Sequence, residues 1–249
     1  MGGPPTTVDR QDGEAPFSPD DVLLIADDEM FTRFLMNEIL QRLGQPRIVS
    51  ARDGYEAEAA LNGEHAKAIR LVMLDFLMPG RNGLDVLRNI RCGRLAVPRD
   101  AAVMMVTGVE ELALVAAAMA LDVDAFLIKP ASAKAIREQL RCIEFRDRDI
   151  ADIAVYDAVD IELIETVSAG EDDPAIGTGG RSLPLGDLTK GMTLARHITS
   201  PDGTLLVGRG TKVTNRLTRL LRGLAAGGLS LDPVWVATEE LEGKGLKVF

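Results

Sequence analysis

The sequence predicts an α/β fold for its first 145 residues, with one parallel β-sheet that is covered by helices on both faces. Five short apolar runs alternate with five longer segments in which apolar residues recur at helical spacing. The apolar runs are continuous, which is typical of strands buried on both faces of a parallel sheet. Four of the runs end at a polar residue, and ligands of such sheets bind at the carboxyl ends of the strands.

The predicted strands and helices follow one another in strict alternation. The strands are residues 22–26, 47–51, 71–74, 103–106 and 125–128, and the helices are residues 31–43, 55–61, 84–91, 110–121 and 133 to at least 143. Gly44 and Gly63 are expected to end the first two helices, and Ser132 is the expected N-cap of the last. This order indicates a repeated βα unit rather than separate blocks of strands and helices.

Polar residues at the strand ends carry the predicted chemistry. Asp27 and Asp28 follow strand 1, Asp75 follows strand 3, Thr107 follows strand 4 and Lys129 follows strand 5. Each alone is also an ordinary turn or cap residue, but a parallel sheet brings all five into one crevice. Carboxylates crowded together repel one another unless a cation lies between them, and oxygen ligands of this kind suit Mg²⁺. Lysine and threonine can contact a phosphoryl oxygen, and a carboxylate that attacks phosphorus forms an acyl phosphate.

Five motifs together resemble the receiver domain of response regulators in two-component signalling. In order, these motifs are Leu24-Ile25-Ala26-Asp27-Asp28-Glu29, Asp75-Phe76-Leu77-Met78-Pro79, Gly80-Arg81-Asn82-Gly83, Val106-Thr107-Gly108 and Phe126-Leu127-Ile128-Lys129-Pro130. The resemblance spans roughly residues 20–145. It implies a flavodoxin-like (βα)5 fold and a phosphorylation site that uses Mg²⁺.

The resemblance gives each acidic residue a role. Asp75 would be the phosphoacceptor, supplied by a histidine kinase or a histidine phosphotransfer protein. Asp28, Asp75 and the backbone carbonyl of Leu77 would bind Mg²⁺ directly, and Asp27 would act through a water molecule. Asp27, Asp28, Asp75 and Leu77 are therefore the expected metal site.

The resemblance also implies a switch that reports phosphorylation. Thr107 and Lys129 would contact the phosphoryl group, and Thr107 and Phe126 would be the switch pair, although Phe126 also fits an ordinary core position. The predicted helix 110–121 is nearly apolar all round, so either its alanines tolerate exposure or this face meets a partner. A homodimer through the face of helix 110–121 is one such contact.

The remaining N-terminal and central segments are less regular. Residues 1–20 are rich in Pro, Gly, Thr and Asp and predict a disordered leader before a receiver domain at 21–145. Residues 146–181 form a connector and acidic linker, since residues 143–181 carry 11 acidic and 3 basic side chains. Residues 143–168 fit both a helix and an alternating strand, and a helical extension of the last receiver helix is the favoured interpretation.

Residues 182–249, the C-terminal module, predict a small β-rich domain with one helix. Strands are expected at 204–207, 212–213 and 234–236, and an amphipathic helix at 215–224. The segment Leu185–Ala195 and the later Asp-Gly-Thr-Leu-Leu are similar to a leader segment found beside HD-GYP-type phosphodiesterases. The module has neither a His-Asp pair nor a Gly-Tyr-Pro sequence, so we expect it to be non-enzymatic.

The amino-acid composition argues against two classes of protein, general nucleic-acid binders and membrane-spanning proteins. The net charge of −10 argues against a general nucleic-acid binder, and no apolar stretch is long enough to cross a bilayer. Arg216, Arg219 and Arg222 line one helix face, which fits a solvated surface, an acidic or nucleotide partner, or DNA. We expect a cytoplasmic response regulator whose module acts through protein–protein interaction. The alternative is a DNA-binding transcriptional regulator controlled by phosphorylation of the receiver.

Overall fold

The computed structural model describes residues 17–108, 114–143, 145, 150–159, 180–201, 203 and 205–237. The first part comprises β1 (Val22–Ala26), α1 (Met30–Gln41), β2 (Arg47–Ala51), α2 (Gly54–Leu61), β3 (Ile69–Asp75), α3 (Gly83–Arg91), β4 (Ala102–Thr107), α4 (Val115–Ala120), β5 (Ala125–Ile128), α5 (Ala133–Cys142) and α6 (Ile153–Asp157). The second part comprises β6 (Gly180–Leu183), β7 (Ile198–Thr199), β8 (Leu205–Val207), α7 (Asn215–Ala226) and β9 (Val234–Ala237). Among the described residues, no helix has the length and apolar character to span a membrane.

The first five strands form one parallel sheet in the order β2-β1-β3-β4-β5, which confirms the predicted α/β, flavodoxin-like fold. Successive side chains along each strand alternate between two apolar cores. The core with α1 and α5 takes the side chains of Leu23, Met73, Met104 and Leu127. The core with α2, α3 and α4 takes those of Leu24, Val72, Val103 and Phe126. Both faces are therefore buried, as the continuous apolar strands predict.

The chain after α5 differs from the prediction. The predicted helical extension through residues 143–168 is wrong, because α5 ends at Cys142 and Ile143 is extended, with φ −82° and ψ 124°. Burial of the Ile143 side chain turns the chain away from the helix axis. A separate helix, α6, packs on α3 and buries Tyr156 completely. Within the predicted extension, residues 144, 146–149 and 160–168 lie outside the described residues.

Contacts with the receiver extend to residues before the predicted boundary at residue 21. Phe17 is 2% exposed, and its ring meets the ring of Phe145 edge to face at 6.1 Å. The N–H and hydroxyl of Ser18 both donate to the carboxylate of Asp21. Residues 17–20 therefore belong with the receiver rather than with the predicted leader, whose residues 1–16 lie outside the described part of the chain.

The C-terminal module contains two small antiparallel pairs, β6 with β9 and β7 with β8. Its apolar stripe packs inward as predicted, with Leu217, Leu220, Leu221 and Leu224 all buried. The predicted strand at 212–213 is reduced to one isolated bridge between Thr193 and Lys212. The module is thus β-rich with one α-helix among its described residues.

The C-terminal module packs on the receiver along α4, β5 and α5, a contact that the sequence did not predict. β8 contacts α4, so part of the face expected to support a homodimer is covered by the chain itself. Residues 110–113 of that predicted helix lie outside the described residues. The face of α7 that carries Arg216, Arg219 and Arg222 is not simply solvated either. Arg216 reaches receiver residues, and Arg222 donates to the carbonyls of Gly186 and Leu188.

Candidate functional site

The carboxyl end of the parallel sheet brings the predicted site residues together. Leu74 pairs with Ala26, Asp75 with Val106, and Thr107 with Ile128, so the ends of β1, β3, β4 and β5 lie side by side. Asp75 and Thr107 are the last residues of their strands, and the other members follow β1 and β5 directly. The parallel register alone thus places all of these functional groups at one edge.

Three aspartates form an acidic cluster at this edge. Asp27, Asp28 and Asp75 each place a carboxylate oxygen within 4.8 Å of the others. Asp27 and Asp75 are buried, and Asp28 is exposed. A cluster of carboxylates only, open to solvent on one side, fits Mg²⁺, which prefers oxygen ligands and retains several waters. The donor set therefore fits the implied cation.

Neighbouring groups orient the two aspartates that follow β1. One carboxylate oxygen of Asp27 accepts the backbone N–H of Glu29 at 2.8 Å. The guanidinium of Arg33 donates to the backbone carbonyls of Asp27 and Asp28, at 2.8 and 3.0 Å. These bonds fix the loop between β1 and α1, so its carboxylates point into the crevice without a large ordering cost.

Lys129 supplies the positive charge of the site. Its Nζ lies 3.0 Å from Asp27 Oδ2 and 3.0 Å from Asp75 Oδ1. Burial lowers the pKa of Lys129, but the hydrogen bonds and charges of Asp27 and Asp75 more than offset this, so the pKa is raised above its ordinary value. The lysine therefore stays charged and lies where a phosphoryl oxygen on Asp75 would need a donor.

The predicted switch residues lie where expected. Thr107 is buried, and its hydroxyl donates to the carbonyl of Gly108 at 2.9 Å. Phe126 is 1% exposed and stacks on Phe76 with a centroid distance of 6.4 Å. Because Phe126 is packed in the core, its role as a reporter of phosphorylation stays a prediction. The side chain of Leu77 is 57% exposed, and its carbonyl as a metal ligand also stays a prediction.

Gly83 lies against the backbone at the end of β3, and the sequence motifs alone assign it no role. A Cβ at this position would lie 2.1 Å from the carbonyl oxygen of Asp75, so only glycine permits the approach. The N–H of Gly83 donates to the carbonyl of Phe76 at 3.0 Å. The Asn82-Gly83 pair is the sequence signal, since Asn82 also caps α3 by accepting from Asp85 N–H.

Comparisons with known proteins agree with this geometry. The sequence model of the family described as "Response regulator receiver domain" matches residues 23–141. Chemotaxis protein CheY1 of Helicobacter pylori strain J99 is 26% identical over 121 residues, which are 49% of this chain and 94% of that protein. The probable transcriptional regulator ycf27 of Porphyridium aerugineum is 29% identical over 121 residues, 49% of this chain.

The match to the ycf27 protein covers 47% of that protein, so the chain spans about half the length of this relative. The crystal structure of a response regulator receiver domain protein from Clostridium thermocellum is 25% identical, with a TM-score of 0.44, and its match covers 49% of this chain and 91% of that chain. The family match falls on the five-stranded sheet and includes the acidic cluster and Lys129. Residues 23–141 therefore form a response regulator receiver domain of two-component signalling.

Proposed function

We propose that the chain is a cytoplasmic two-component response regulator that accepts a phosphoryl group on Asp75. The observation that carries the proposal is the cluster of Asp27, Asp28 and Asp75 within 4.8 Å, with Lys129 held 3.0 Å from two of them. The donor is a histidine kinase or a histidine phosphotransfer protein. The C-terminal module is non-catalytic and acts through protein–protein contacts.

The chain's own residues supply the transfer chemistry. A carboxylate oxygen of Asp75 attacks phosphorus, the donor's N–P bond breaks, and the histidine nitrogen keeps the electron pair. Asp27, Asp28, Asp75 and the Leu77 carbonyl would hold Mg²⁺, and the bound cation would offset the negative charge of the reacting groups. Lys129 exchanges its contact with the Asp75 carboxylate for a phosphoryl oxygen, and the Thr107 hydroxyl donates to another.

An apolar rim beside the acidic cluster supports a protein donor. Met30, Phe31 and Phe34 on the first turns of α1 are 75%, 66% and 62% exposed. They follow Asp28 within a few residues, so they border the crevice. Large apolar side chains grouped on a surface indicate a contact with another protein. A helix that carries the phosphohistidine would bury them while it presents its phosphoryl group to Asp75.

The DNA-binding alternative has less support. α7 is the one α-helix among the described residues of the C-terminal module, whereas a helix-turn-helix needs a second helix before it. Arg216 and Arg222 already bond to protein groups. Retention on duplex DNA at low salt that is lost at high salt would favour the alternative over our proposal.

Phosphoryl transfer from a small acyl phosphate tests the proposal directly. With acetyl phosphate and Mg²⁺, the intact mass of the protein should rise by one phosphoryl group, and EDTA should prevent the rise. Asp75→Asn should abolish the gain, whereas Asp85→Asn, on α3 and outside the acidic cluster, should leave it unchanged. Equal labelling of wild type and Asp75→Asn would refute Asp75 as the acceptor.

A further inference from the structure

A cleft lies between α4 of the receiver and the C-terminal module. Its volume is about 380 Å³, which falls in the range of roughly 300–1,000 Å³ that is typical of small-molecule sites. One wall is α4, and the opposite wall contains β8 and the first half of α7. Because regular elements form both walls, the space exists before any ligand binds.

Apolar side chains from both walls line the cleft. Ala116 and Met119 line it from α4, and Leu205, Leu217 and Leu220 line it from the module. Leu217 and Leu220 are buried, whereas the other three are half-buried. Water in a gap between such side chains finds few hydrogen-bond partners. An apolar group in the gap would gain dispersion contacts and remove these side chains from water.

Three charged residues also line the cleft, and one of them lacks a counter-charge. Arg216 and Asp122 pair with each other at 3.1 Å. Lys212 is exposed, and its side chain makes no ion pair within the described part of the chain. An antiparallel bridge to Thr193 fixes its backbone, so the ammonium stays within reach of the rim. A positive charge beside an apolar space favours a ligand with a negative charge at one end.

We propose that the cleft binds a small amphipathic carboxylate, whose apolar chain fills the space between α4 and α7 and whose head group pairs with Lys212. A neutral apolar ligand would leave the lysine unpaired. A small hydrophilic anion would leave the apolar walls in contact with water. A ligand with both parts uses both kinds of lining. The proposal is independent of the function proposed above, since it involves neither Asp75 nor its phosphorylation.

Octanoate is a suitable probe, because it joins a short alkyl chain to one carboxylate. Calorimetric titration of the full chain with octanoate should give one saturable site with a dissociation constant of about 0.1 mM. Octanol has the same chain without the charge and should bind about fivefold more weakly, which is the effect of one exposed ion pair. Acetate has the charge without the chain and should not bind.

Three results of this titration would refute the proposal. Octanoate that does not saturate would show that the cleft does not bind such a ligand. Octanol that binds as tightly as octanoate would show that the cleft takes neutral apolar ligands. An octanoate affinity that falls as the protein concentration rises would show that a second copy of the chain fills the cleft instead.

Lys212→Met tests the contact with the head group. The substitution keeps an apolar stem at the rim and removes the charge, so octanoate should bind about fivefold more weakly while octanol binds as before. Lys190→Met removes an exposed lysine of the same module outside the cleft and should leave both affinities unchanged. If the octanoate affinity of Lys212→Met does not fall, or falls no more than that of octanol, Lys212 does not hold the carboxylate.

Met119 can report where the apolar chain lies. Its side chain lines the cleft, whereas Met73 lies in the core with α1 and α5 on the other face of the sheet. In the full chain with ¹³C-labelled methionine methyl groups, octanoate protons should give nuclear Overhauser contacts to the methyl of Met119 and none to that of Met73. Met119→Leu assigns the signal. Contacts to other methionines alone, or to none, would overturn the location of the site.

A side chain that fills the cleft should compete with the ligand. Ala116→Phe places a ring in the space, so octanoate should bind at least about tenfold more weakly. Ala226→Phe adds the same ring at an exposed position of α7 outside the lining and should bind octanoate as wild type does. A folded Ala116→Phe variant with wild-type affinity would refute the cleft as the site. If that variant does not fold, the Met119 contacts and the Lys212→Met comparison decide between the outcomes.

Discussion

The two ends of the same parallel sheet carry acidic side chains in opposite electrostatic situations. At the carboxyl end, three aspartates cluster within 4.8 Å, and Lys129 contacts two of them, Asp27 and Asp75. At the amino end, Asp122 and Asp124 face two arginines, Arg91 and Arg216. Carboxylates that outnumber their cations store repulsion that a bound metal ion relieves, whereas carboxylates matched by guanidinium groups are already neutralised.

The amino end is a structural network. Arg91 is fully buried, donates to the carbonyls of Arg99, Ala101 and Asp122, and pairs with Asp124 at 3.1 Å. Asp124 also accepts the backbone N–H of Val103 at 2.8 Å. Each polar group here has a protein partner, so the network stabilises the fold and offers nothing to a ligand. The comparison indicates that the number of cations beside the carboxylates, rather than acidity alone, distinguishes the proposed metal site from the amino-end network.

Removal of the buried guanidinium should have the largest effect. Arg91→Met leaves Asp124 buried without its main cation, so the free energy of unfolding should fall by about 3–5 kcal/mol. Arg88→Met, on the same helix but in an ion pair with Asp85 in which both side chains are partly exposed, should cost less than about 1 kcal/mol. Urea denaturation of both variants measures the difference. Equal losses would mean that the amino-end network is not structural.

Removal of one carboxylate from the carboxyl end of the sheet should weaken metal binding rather than lower stability. Asp28→Asn should weaken Mg²⁺ binding about a hundredfold, or about 2.8 kcal/mol, and should barely change stability without metal. Asp27→Asn should weaken Mg²⁺ binding less, because the two carboxylate oxygens of Asp27 already bond to the N–H of Glu29 and to Lys129. Calorimetric titration compares the two. Wild-type affinity in Asp28→Asn would remove this residue from the metal site.

The phenol of Tyr156 extends the amino-end network of arginines and aspartates and makes its stability depend on pH. It donates to Asp122 at 2.6 Å and accepts the N–H of Ala151 at 2.7 Å. Burial, the hydrogen bond to Asp122 and the charge of that carboxylate raise the pKa of Tyr156 from 10 to about 12. The folded protein therefore holds this proton more tightly, and its contribution is complete below pH 10 and is lost as the pH rises towards 12.

Tyr156→Phe should consequently lower the free energy of unfolding by about 2 kcal/mol at neutral pH, because Asp122 and Ala151 lose their partner. The difference from wild type should shrink between pH 10 and 12. Denaturation at several alkaline pH values measures it, and a difference that stays constant to pH 12 would show that the phenol does not titrate in the native network.

The lifetime of the phosphoryl group should show the smallest effect. Leu77 and Val109 lie two residues after Asp75 and Thr107, and neither can orient or activate a water for hydrolysis. The side chain of Leu77 is exposed, while Val109 lies outside the described residues. Leu77→Asn with Val109→Glu should speed phosphate loss about tenfold, or about 1.4 kcal/mol in the barrier. An unaltered decay after donor removal would place control of hydrolysis elsewhere.

Local patterns in the sequence were sufficient to predict the strands of the receiver and the residues that meet at one edge of its sheet. Continuous apolar runs fix the strands, and residues such as Asp75 and Lys129 reach the site simply because parallel strands end at one edge. The sequence could not reveal contacts between distant segments. Arg216 meets Asp122 across 94 positions of the chain, and its helical spacing is the same as for a solvated arginine. Ile143 likewise continues a helical pattern, and only tertiary burial ends α5 before it.

Paramagnetic Mn²⁺ in place of Mg²⁺ tests most directly whether the cation binds at the carboxyl end of the sheet, beside Asp27, Asp28 and Asp75. Amide resonances near bound Mn²⁺ broaden in NMR spectra of the full chain. We predict broadening at Asp27, Asp28 and Thr107, none at Asp124 or Val103, and loss of the effect in Asp28→Asn. Broadening at the amino end, or none at the carboxyl end, would contradict the account.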